Sequence, residues 1–199
     1  MNETQNWRDL YFTSRDGLRL HARHYPAPGA SRRPVICLPG LTRNCQDFHR
    51  LALDLGDPRG HRRDVFTVDY RGRGLSEHDK DWRNYTPLVE SLDVIDLMTL
   101  AGLDDVAVIG TSRGGIIAMI LAVMRPASLA AVVLNDIGPE LDRAGLIRIL
   151  GYVGKIPVPN TWEEATDTVR SMSRKAFPAV SDADWEVVAR SWFLDLNGA

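Results

Sequence analysis

The sequence lacks several features that would have assigned a function class directly. Only 2 of its 199 residues are cysteines. Because Cys37 and Cys45 do not have the spacing of metal ligands, a cysteine zinc site is excluded and we expect no metal. Cys37 lies in an apolar run, which favours a buried free thiol and a reducing, cytoplasmic location. No apolar run reaches the roughly 18–20 residues of a membrane span, so we expect no membrane partner. The polar first residues lack the hydrophobic region of a signal peptide.

An excess of charge of one sign is also missing. The chain has 24 Lys and Arg against 26 Asp and Glu, a formal net charge of −2. There is thus no basic field that would attract nucleic acid, and we expect no nucleic-acid partner. Hydrophobic residues make up 44% and charged residues 25% of the chain, which is typical of a globular protein and excludes a disordered or fibrous one. The length predicts one domain, or one domain with a small appendage.

Apolar runs alternate with amphipathic segments along the first two thirds of the chain. The pattern predicts a hairpin over residues 11–25, strands over 34–38, 64–69, 106–109 and 129–134, and helices over 47–55, 85–100 and 115–124. Such alternation favours a parallel sheet covered on both faces by helices, with its strands buried on both sides. Catalytic and binding loops are then expected at the carboxyl ends of the strands.

The most informative segment is the junction of the 106–109 strand and the 115–124 helix. Gly110-Thr111-Ser112-Arg113-Gly114 stands between them. A strand, a tight turn with serine at its apex and a helix form a nucleophile elbow, in which glycines flank the serine where the two backbones crowd. The free N–H groups of the helix start would face developing negative charge. The alternative is a glycine-rich helix start that binds phosphate or only packs.

Four motifs stand in order along the chain: LPG at 38–40, DYRGRGLSE at 69–77, GTSRGG at 110–115 and LNDIGP at 134–139. Together they resemble the capped α/β-hydrolase superfamily of esterases, enol-lactonases and carbon–carbon bond hydrolases, although Leu38 replaces a usual histidine. The resemblance covers residues 11–139 in detail and the rest in outline. It implies an α/β-hydrolase fold and a serine hydrolase without metal or organic cofactor.

The resemblance also implies roles for individual residues. Ser112 is the candidate nucleophile, and the backbone N–H groups of Leu41 and Arg113 are the candidate oxyanion hole. Thr42 and Arg43 lie just beyond and are candidate substrate-binding residues. Asp136, 24 residues after Ser112, is the candidate orienting acid. Some relatives have their acid one strand later, and a helix cap or loop carboxylate is the other interpretation of Asp136.

Other charged residues of the motifs are expected to be structural. Asp69 is predicted to hold the turn around Arg71 and Arg73, and both arginines are predicted to bind loop carbonyls instead of substrate. The Arg113 side chain has two open interpretations: it meets an acidic group of the substrate, or it forms a salt bridge within the scaffold.

Histidine is missing from the part of the chain where the resemblance implies the catalytic base. All five histidines precede Ser112: His21, His24, His49, His61 and His78. The first four are predicted to be partly exposed residues of the hairpin, a helix and a loop. Three explanations compete: the chain is a fragment of a longer hydrolase, it is a true truncation, or an early histidine such as His78 substitutes. We favour the fragment, with the last strands, a helix and the base histidine on a C-terminal part that is a partner of this chain. The isolated chain is then expected to be inactive.

The predicted domains are 1–140, the N-terminal part of the hydrolase core, and 141–199, an incomplete helical cap. Thr161 and Ser181 begin candidate capping boxes. The aromatic residues of this segment are predicted to form a small core or, for one or two of them, to line an acyl pocket: Trp162, Phe177, Trp185, Trp192 and Phe193.

Three functions are consistent with these observations. The first is hydrolysis of a small carboxylic ester or lactone through an acyl-Ser112 intermediate, with a small-molecule acyl compound as substrate. The second is a non-catalytic binding or scaffold protein on the same fold, since fold alone does not secure function. The third is hydrolysis of a carbon–carbon bond, which would use the same nucleophile.

Overall fold

A computed structural model describes residues 6–138, 140–155 and 157–195. Pro139, the last residue of the fourth motif, lies outside the described residues. Backbone contacts divide the chain into two units, Met1–Gly138 and Pro139–Ala199, whereas the predicted domains meet at residue 140. Within the described part, none of the helices has both the length and the apolar character that a membrane crossing requires.

The first unit contains one six-stranded sheet in the order β1-β2-β4-β3-β5-β6. The strands are β1 (Arg8–Thr13), β2 (Arg19–Tyr25), β3 (Val35–Leu38), β4 (Val65–Asp69), β5 (Val106–Thr111) and β6 (Leu129–Asn135). β1 and β2 form the predicted hairpin, and β2 pairs antiparallel with β4. The other pairs are parallel. The predicted mostly parallel sheet is confirmed, and the carboxyl ends of β3, β4, β5 and β6 share one edge, here called the carboxyl edge.

Three α-helices cover both faces of this sheet. They are α1 (His49–Gly56), α2 (Pro87–Leu100) and α3 (Arg113–Met124), with a 3₁₀ turn over Cys45–Phe48 where the sequence predicted the start of α1. Successive side chains of β3 point to opposite faces of the sheet and therefore belong to two different hydrophobic cores. Ile36 and Leu38 pack with residues of α2 and α3, whereas Val35 and Cys37 pack with residues of the 3₁₀ turn and α1.

Strand β6 is not buried on both sides, so this part of the prediction was wrong. Val132, Val133 and Leu134 are 37%, 52% and 36% exposed. β6 is the edge strand of the described sheet and pairs with β5 alone. Its apolar run therefore lacks a second strand neighbour among the described residues.

The second unit contains α4 (Arg143–Tyr152), α5 (Trp162–Ser173) and α6 (Asp182–Trp192). The side-chain oxygens of Thr161 and Ser181 cap α5 and α6, as the sequence predicted. Trp185 is buried in a small core with residues of both helices, whereas Phe177 is exposed. Trp162, Trp192 and Phe193 pack against this core.

The loop after β4 is anchored by a buried ion cluster. The Arg71 side chain is 1% exposed, and its guanidinium donates to Asp93 at 2.6 Å, to Asp79 at 2.6 Å and to Asp16 at 2.9 Å. The prediction that Arg71 binds loop carbonyls was therefore wrong, because three carboxylates surround it. Burial raises the pKa of Asp93 to about 6, although the Arg71 guanidinium lowers it.

The turn between β5 and α3 is as crowded as the sequence predicted. A Cβ added to Gly114 would lie 2.1 Å from the carbonyl oxygen of Leu38, and one added to Gly110 would lie 2.4 Å from the carbonyl oxygen of Gly114. Both contacts involve backbone atoms, which cannot rotate away. Helix α3 can therefore start this close to β3 only because these two residues lack side chains.

We expect Arg71→Leu to lower the free energy of unfolding by about 3–5 kcal/mol at pH 8, because it leaves the buried Asp93 carboxylate without its cation. The wild-type Asp93 carboxyl is already largely protonated at pH 5, since its pKa is about 6. Protonation removes the charge that Arg71 compensates, so the loss becomes smaller as the pH falls from 8 to 5. Urea unfolding at both pH values measures this. In the control Arg83→Leu, an exposed pair with Asp81 is lost, and an equal effect there would contradict the prediction.

We expect Gly114→Ala to destabilise the first unit by about 1–3 kcal/mol or more, because the new methyl group overlaps the Leu38 carbonyl. Thermal and urea unfolding measure the change. The matched control is Gly56→Ala at the end of α1, where the nearest atom to an added Cβ is the Arg63 carbonyl oxygen at 3.7 Å. That control should be neutral or stabilising by up to about 1 kcal/mol. Equal effects of the two substitutions would contradict the crowding argument.

Candidate active site

Ser112 lies at the carboxyl edge, between the end of β5 and the start of α3. Its backbone adopts the left-handed conformation, with φ of 50° and ψ of −112°. This strained geometry is held from two sides: the Ser112 N–H donates to the Asn135 carbonyl at 2.9 Å, and the Ser112 carbonyl accepts from the Gly115 N–H at 2.9 Å. The Ser112 side chain does not cap the helix, so its hydroxyl has no structural task there.

The peptide group between Ser112 and Arg113 presents one candidate oxyanion donor. Its carbonyl is fixed by Gly115 and, at 3.3 Å, by the N–H of Ile116. Because the peptide is planar and trans, the Arg113 N–H points the opposite way, out of the start of α3. Within residues 6–138 this N–H donates to no protein acceptor.

The peptide group between Gly40 and Leu41 presents the second candidate donor. Its carbonyl accepts from the Arg43 N–H at 3.1 Å, so the Leu41 N–H is turned away from that bond. In the described part of the first unit this N–H, too, has no protein acceptor. A Cβ added to Gly40 would lie 4.0 Å from the Thr111 carbonyl oxygen. The segment that carries Gly40 and Leu41 therefore lies beside Thr111, the residue that precedes Ser112.

Two side chains from the loop after β4 hold the Leu41 segment. The Tyr70 hydroxyl donates to the Pro39 carbonyl at 3.1 Å, and Nε of Arg73 donates to the Leu41 carbonyl at 3.1 Å. Burial, and after it the charge of Glu90, raises the pKa of Tyr70 well above its ordinary value, which keeps the hydroxyl protonated as a donor. Arg73 thus binds carbonyls as the sequence predicted.

The Arg113 side chain forms a salt bridge within the scaffold. Its Nε donates to Glu90 at 2.7 Å, and its Nη2 donates to Glu90 and to the Tyr85 carbonyl at 3.0 Å. Glu90, on α2, is buried. Of the two interpretations left open by the sequence, the structure has the scaffold salt bridge. The role of Glu90 was missed, and its signal was an acidic residue on the apolar face of α2.

Thr42 and Arg43 follow the Leu41 donor. Thr42 is exposed. The Arg43 guanidinium binds the Asp47 carboxylate with both Nε and Nη2, at 2.8 and 2.6 Å. Burial outweighs this pairing and raises the pKa of Asp47. Arg43 is therefore beside the candidate oxyanion segment, but its charge is engaged by Asp47.

Asp136 follows β6 in the position that Ser112 has after β5. Thr111 and Asn135 are register partners, and the Asn135 amide donates to the Thr111 hydroxyl at 3.2 Å. Since neighbouring strands lie about 4.8 Å apart, the two residues that follow are neighbours at the carboxyl edge. Asp136 is exposed and, like Ser112, has a positive φ, here of 55°.

The histidines that the structure brings into contacts are engaged elsewhere. His24 binds Asp64 at 2.8 Å, and His49 binds the Tyr25 hydroxyl at 2.9 Å. His21 is completely buried, which corrects the prediction that it is partly exposed: its hairpin packs under the loops of the carboxyl edge. His61 and His78 are exposed.

Asp69, at the end of β4, is held in the interior. Its carboxylate accepts from the backbone N–H groups of Cys45 at 2.6 Å and Leu75 at 3.0 Å, and it contacts His21 Nδ1 at 2.7 Å. These contacts agree with the structural role predicted for Asp69.

Comparisons with known proteins give a consistent result. The family model described as the alpha/beta hydrolase fold matches residues 33–191. The chain is 35% identical over 159 residues to a 3-hydroxybutyrate-oligomer hydrolase of Cupriavidus necator, a match that covers 79% of this chain and 52% of the relative. It is 35% identical over 105 residues to the sn-1-specific diacylglycerol lipase ABHD11 of Mus musculus, with 53% and 33% covered.

A solved structure is similar over almost the whole chain. It is an alpha/beta hydrolase from Novosphingobium aromaticivorans, with 41% sequence identity and a TM-score of 0.86, and the match covers 94% of this chain and 64% of that one. The chain spans about half the length of the curated relatives that it matches first. With this sheet order, this turn and these matches, the chain belongs to the α/β-hydrolase fold family.

Proposed function

We propose that the protein is a serine hydrolase that cleaves a small carboxylic ester or lactone through an acyl-Ser112 intermediate. The observation that carries this proposal is the state of Ser112: a strained turn holds its backbone, and its hydroxyl does not cap α3. At the same edge, the peptide groups that precede Leu41 and Arg113 each have a hydrogen-bonded carbonyl. Their N–H groups have no protein acceptor among residues 6–138.

The reaction uses these groups in sequence. The Ser112 Oγ attacks the carbonyl carbon of the substrate while a general base takes the hydroxyl proton. The oxyanion accepts hydrogen bonds from the N–H groups of Leu41 and Arg113, each contributing about 3 kcal/mol to stabilising the transition state. The ester C–O bond then breaks, the departing oxygen takes the proton from the base, and water repeats both steps to release the carboxylate and Ser112.

We assign the general base to a histidine outside these 199 residues and the orienting acid to Asp136. Three of the five histidines are bound to partners away from Ser112: His21, His24 and His49. Asp136 is the exposed carboxylate nearest to Ser112 in the strand register. An imidazole that reaches both would have Asp136 at one ring nitrogen and Ser112 at the other. That histidine would belong to the C-terminal part expected as partner.

The relatives support an ester as the substrate class. Units of a 3-hydroxybutyrate oligomer are joined by ester bonds, and a diacylglycerol lipase cleaves an ester as well. For the present chain we infer only that the substrate contains an ester bond, and not the rest of these compounds. Thr42, exposed beyond the Leu41 donor, is a candidate contact for the acyl compound, whereas Arg43 would first have to leave Asp47.

We expect Ser112→Ala to abolish hydrolysis of short-chain p-nitrophenyl esters, with a loss in kcat on the order of 10⁶-fold, because the acyl-enzyme cannot form. The intact protein, as its reading frame encodes it, is used throughout. A fluorophosphonate probe should label the wild-type protein at Ser112, as mapped by peptide mass spectrometry. The control Ser31→Ala changes an exposed loop serine and should leave both readouts unchanged. Hydrolysis that survives in Ser112→Ala, or a wild type that neither hydrolyses nor is labelled, would refute the proposal and favour a binding protein.

We expect Asp136→Asn to lower kcat about 10⁴-fold, since the base histidine loses the carboxylate that orients it. Fluorophosphonate labelling should slow in parallel, while the melting temperature stays close to that of the wild type because the side chain is exposed. The matched control is Glu140→Gln, another exposed acid four residues further along. Full activity in Asp136→Asn would mean that the acid is a different residue.

A further inference from the structure

Near the candidate oxyanion segment lies a chain of titratable groups, two of them buried, that the proposed reaction does not use. His21 Nδ1 contacts Asp69 Oδ2 at 2.7 Å, and His21 Nε2 contacts Asp9 Oδ1 at 3.1 Å. The side chains of His21 and Asp69 are both 0% exposed. Burying a carboxylate this completely costs several kcal/mol unless donors surround it. In the described part of the chain, the side-chain partners of this carboxylate are His21 and the Cys45 thiol, and two backbone N–H groups donate to it as well.

The other oxygen of Asp69 reaches into the loop that carries the Leu41 donor. We call residues 39–45 the oxyanion loop. Asp69 Oδ1 accepts from the N–H of Cys45 at 2.6 Å, and Oδ2 accepts from the N–H of Leu75 at 3.0 Å. Gly74 makes room for this carboxylate, because its φ is 52° and a Cβ there would lie 2.1 Å from Asp69 Oδ2.

The oxyanion loop is therefore fastened at three points to residues 69–73. The Tyr70 hydroxyl holds the Pro39 carbonyl, Arg73 holds the Leu41 carbonyl, and Asp69 holds the Cys45 N–H. The Asp69 contact is the one at the far end of the loop. The orientation of the Asp69 carboxylate in turn depends on His21, because a carboxylate that loses a hydrogen-bond donor is free to rotate toward other partners.

We propose that His21 is a positioning residue for the oxyanion hole, acting through Asp69 and the Cys45 N–H on the loop that presents the Leu41 N–H. The kinetic part of this inference rests on the proposed acyl-transfer function. Cys45 Sγ also lies within 4.8 Å of the ligand atoms of His21 and Asp69. A metal ion there would displace hydrogen bonds that the imidazole and the carboxylate already make, so we assign the cluster to hydrogen bonding.

The test compares Asn and Gln at position 21, because their side-chain amides replace different ring nitrogens of the imidazole. The amide nitrogen of Asn superimposes on Nδ1 and can still donate to Asp69, whereas that of Gln superimposes on Nε2 and reaches Asp9 instead. We expect His21→Gln and His21→Leu to lower kcat about 10- to 100-fold with KM nearly unchanged, since a misplaced oxyanion donor weakens transition-state binding alone. His21→Asn should retain most of kcat. Rates are expressed per Ser112 labelled by fluorophosphonate, which removes the effect of misfolded protein.

The matched control is His24→Leu on the same strand. His24 binds Asp64 at 2.8 Å and stacks on Phe66, and its register partner in β4 is three residues before Asp69. Its loss should cost stability but leave kcat unchanged. A drop in kcat in His24→Leu equal to that in His21→Leu would overturn the inference, because any damage to β2 would then have the same effect.

Hydrogen exchange supplies a readout that does not depend on catalysis. We expect the amides of residues 39–45 to exchange faster in His21→Gln and His21→Leu than in the wild type and His21→Asn. Unchanged exchange, or equal kcat in the Asn and Gln variants, would overturn the inference. A wild type without Ser112-dependent hydrolysis would refute the proposed function, whereas the exchange experiment would still decide whether His21 orders the loop.

Discussion

The close approach of Gly114 to the Leu38 carbonyl is the constraint on which the candidate site depends. β3 and β5 are hydrogen-bonded neighbours, with Leu38 opposite Gly110, and α3 must begin directly after β5 ends. An added Cβ on Gly114 would overlap the end of β3, so α3 can start at this height only without that side chain. The resulting turn forces Ser112 into the left-handed conformation, which a residue with a side chain adopts only when its surroundings hold it there.

The same crowding explains why backbone groups, instead of side chains, are available beside Ser112. The Ser112 carbonyl is used by the first turn of α3, and the Gly40 carbonyl is used by the turn to Arg43. In both cases the hydrogen-bonded carbonyl and the free N–H belong to one rigid peptide plane. Fixing the carbonyl therefore fixes the direction of the N–H without any contact to the N–H itself. Donors oriented in this way need no rearrangement when negative charge develops.

The sequence predicted the parts of the fold that depend on local pattern. The hairpin, the strands and the elbow followed from turn residues and apolar runs, and glycine at 110 and 114 predicted the crowding. The partners of charged side chains were harder to predict, because they join residues far apart in sequence. Arg71 binds Asp16 and Asp93, which lie far from it in the sequence. The motif at 69–77 contains neither residue, so it could not predict these ion pairs.

The burial of His21 also depends on residues that are distant in the sequence. In the sequence His21 alternates with the apolar residues Leu20 and Ala22, so period two predicts a position on the exposed face of the hairpin. Its burial follows from β4, which pairs His21 with Asp69 in register. Only the order of strands, β2 beside β4 and not beside β3, brings this imidazole under the loop that carries Leu41.

The carboxyl edge is held together largely by buried charges with specific partners. Each of three buried carboxylates faces a cationic or imidazole side chain: Asp69 with His21, Glu90 with Arg113, and Asp93 with Arg71. Apolar packing would contribute comparable stability here, but it tolerates sliding, whereas a two-point contact between a guanidinium and a carboxylate specifies direction. Loops that present peptide N–H groups to a reacting carbonyl need their direction specified within a fraction of an ångström. The ion pairs of this edge thus serve the geometry of the site as well as the stability of the fold.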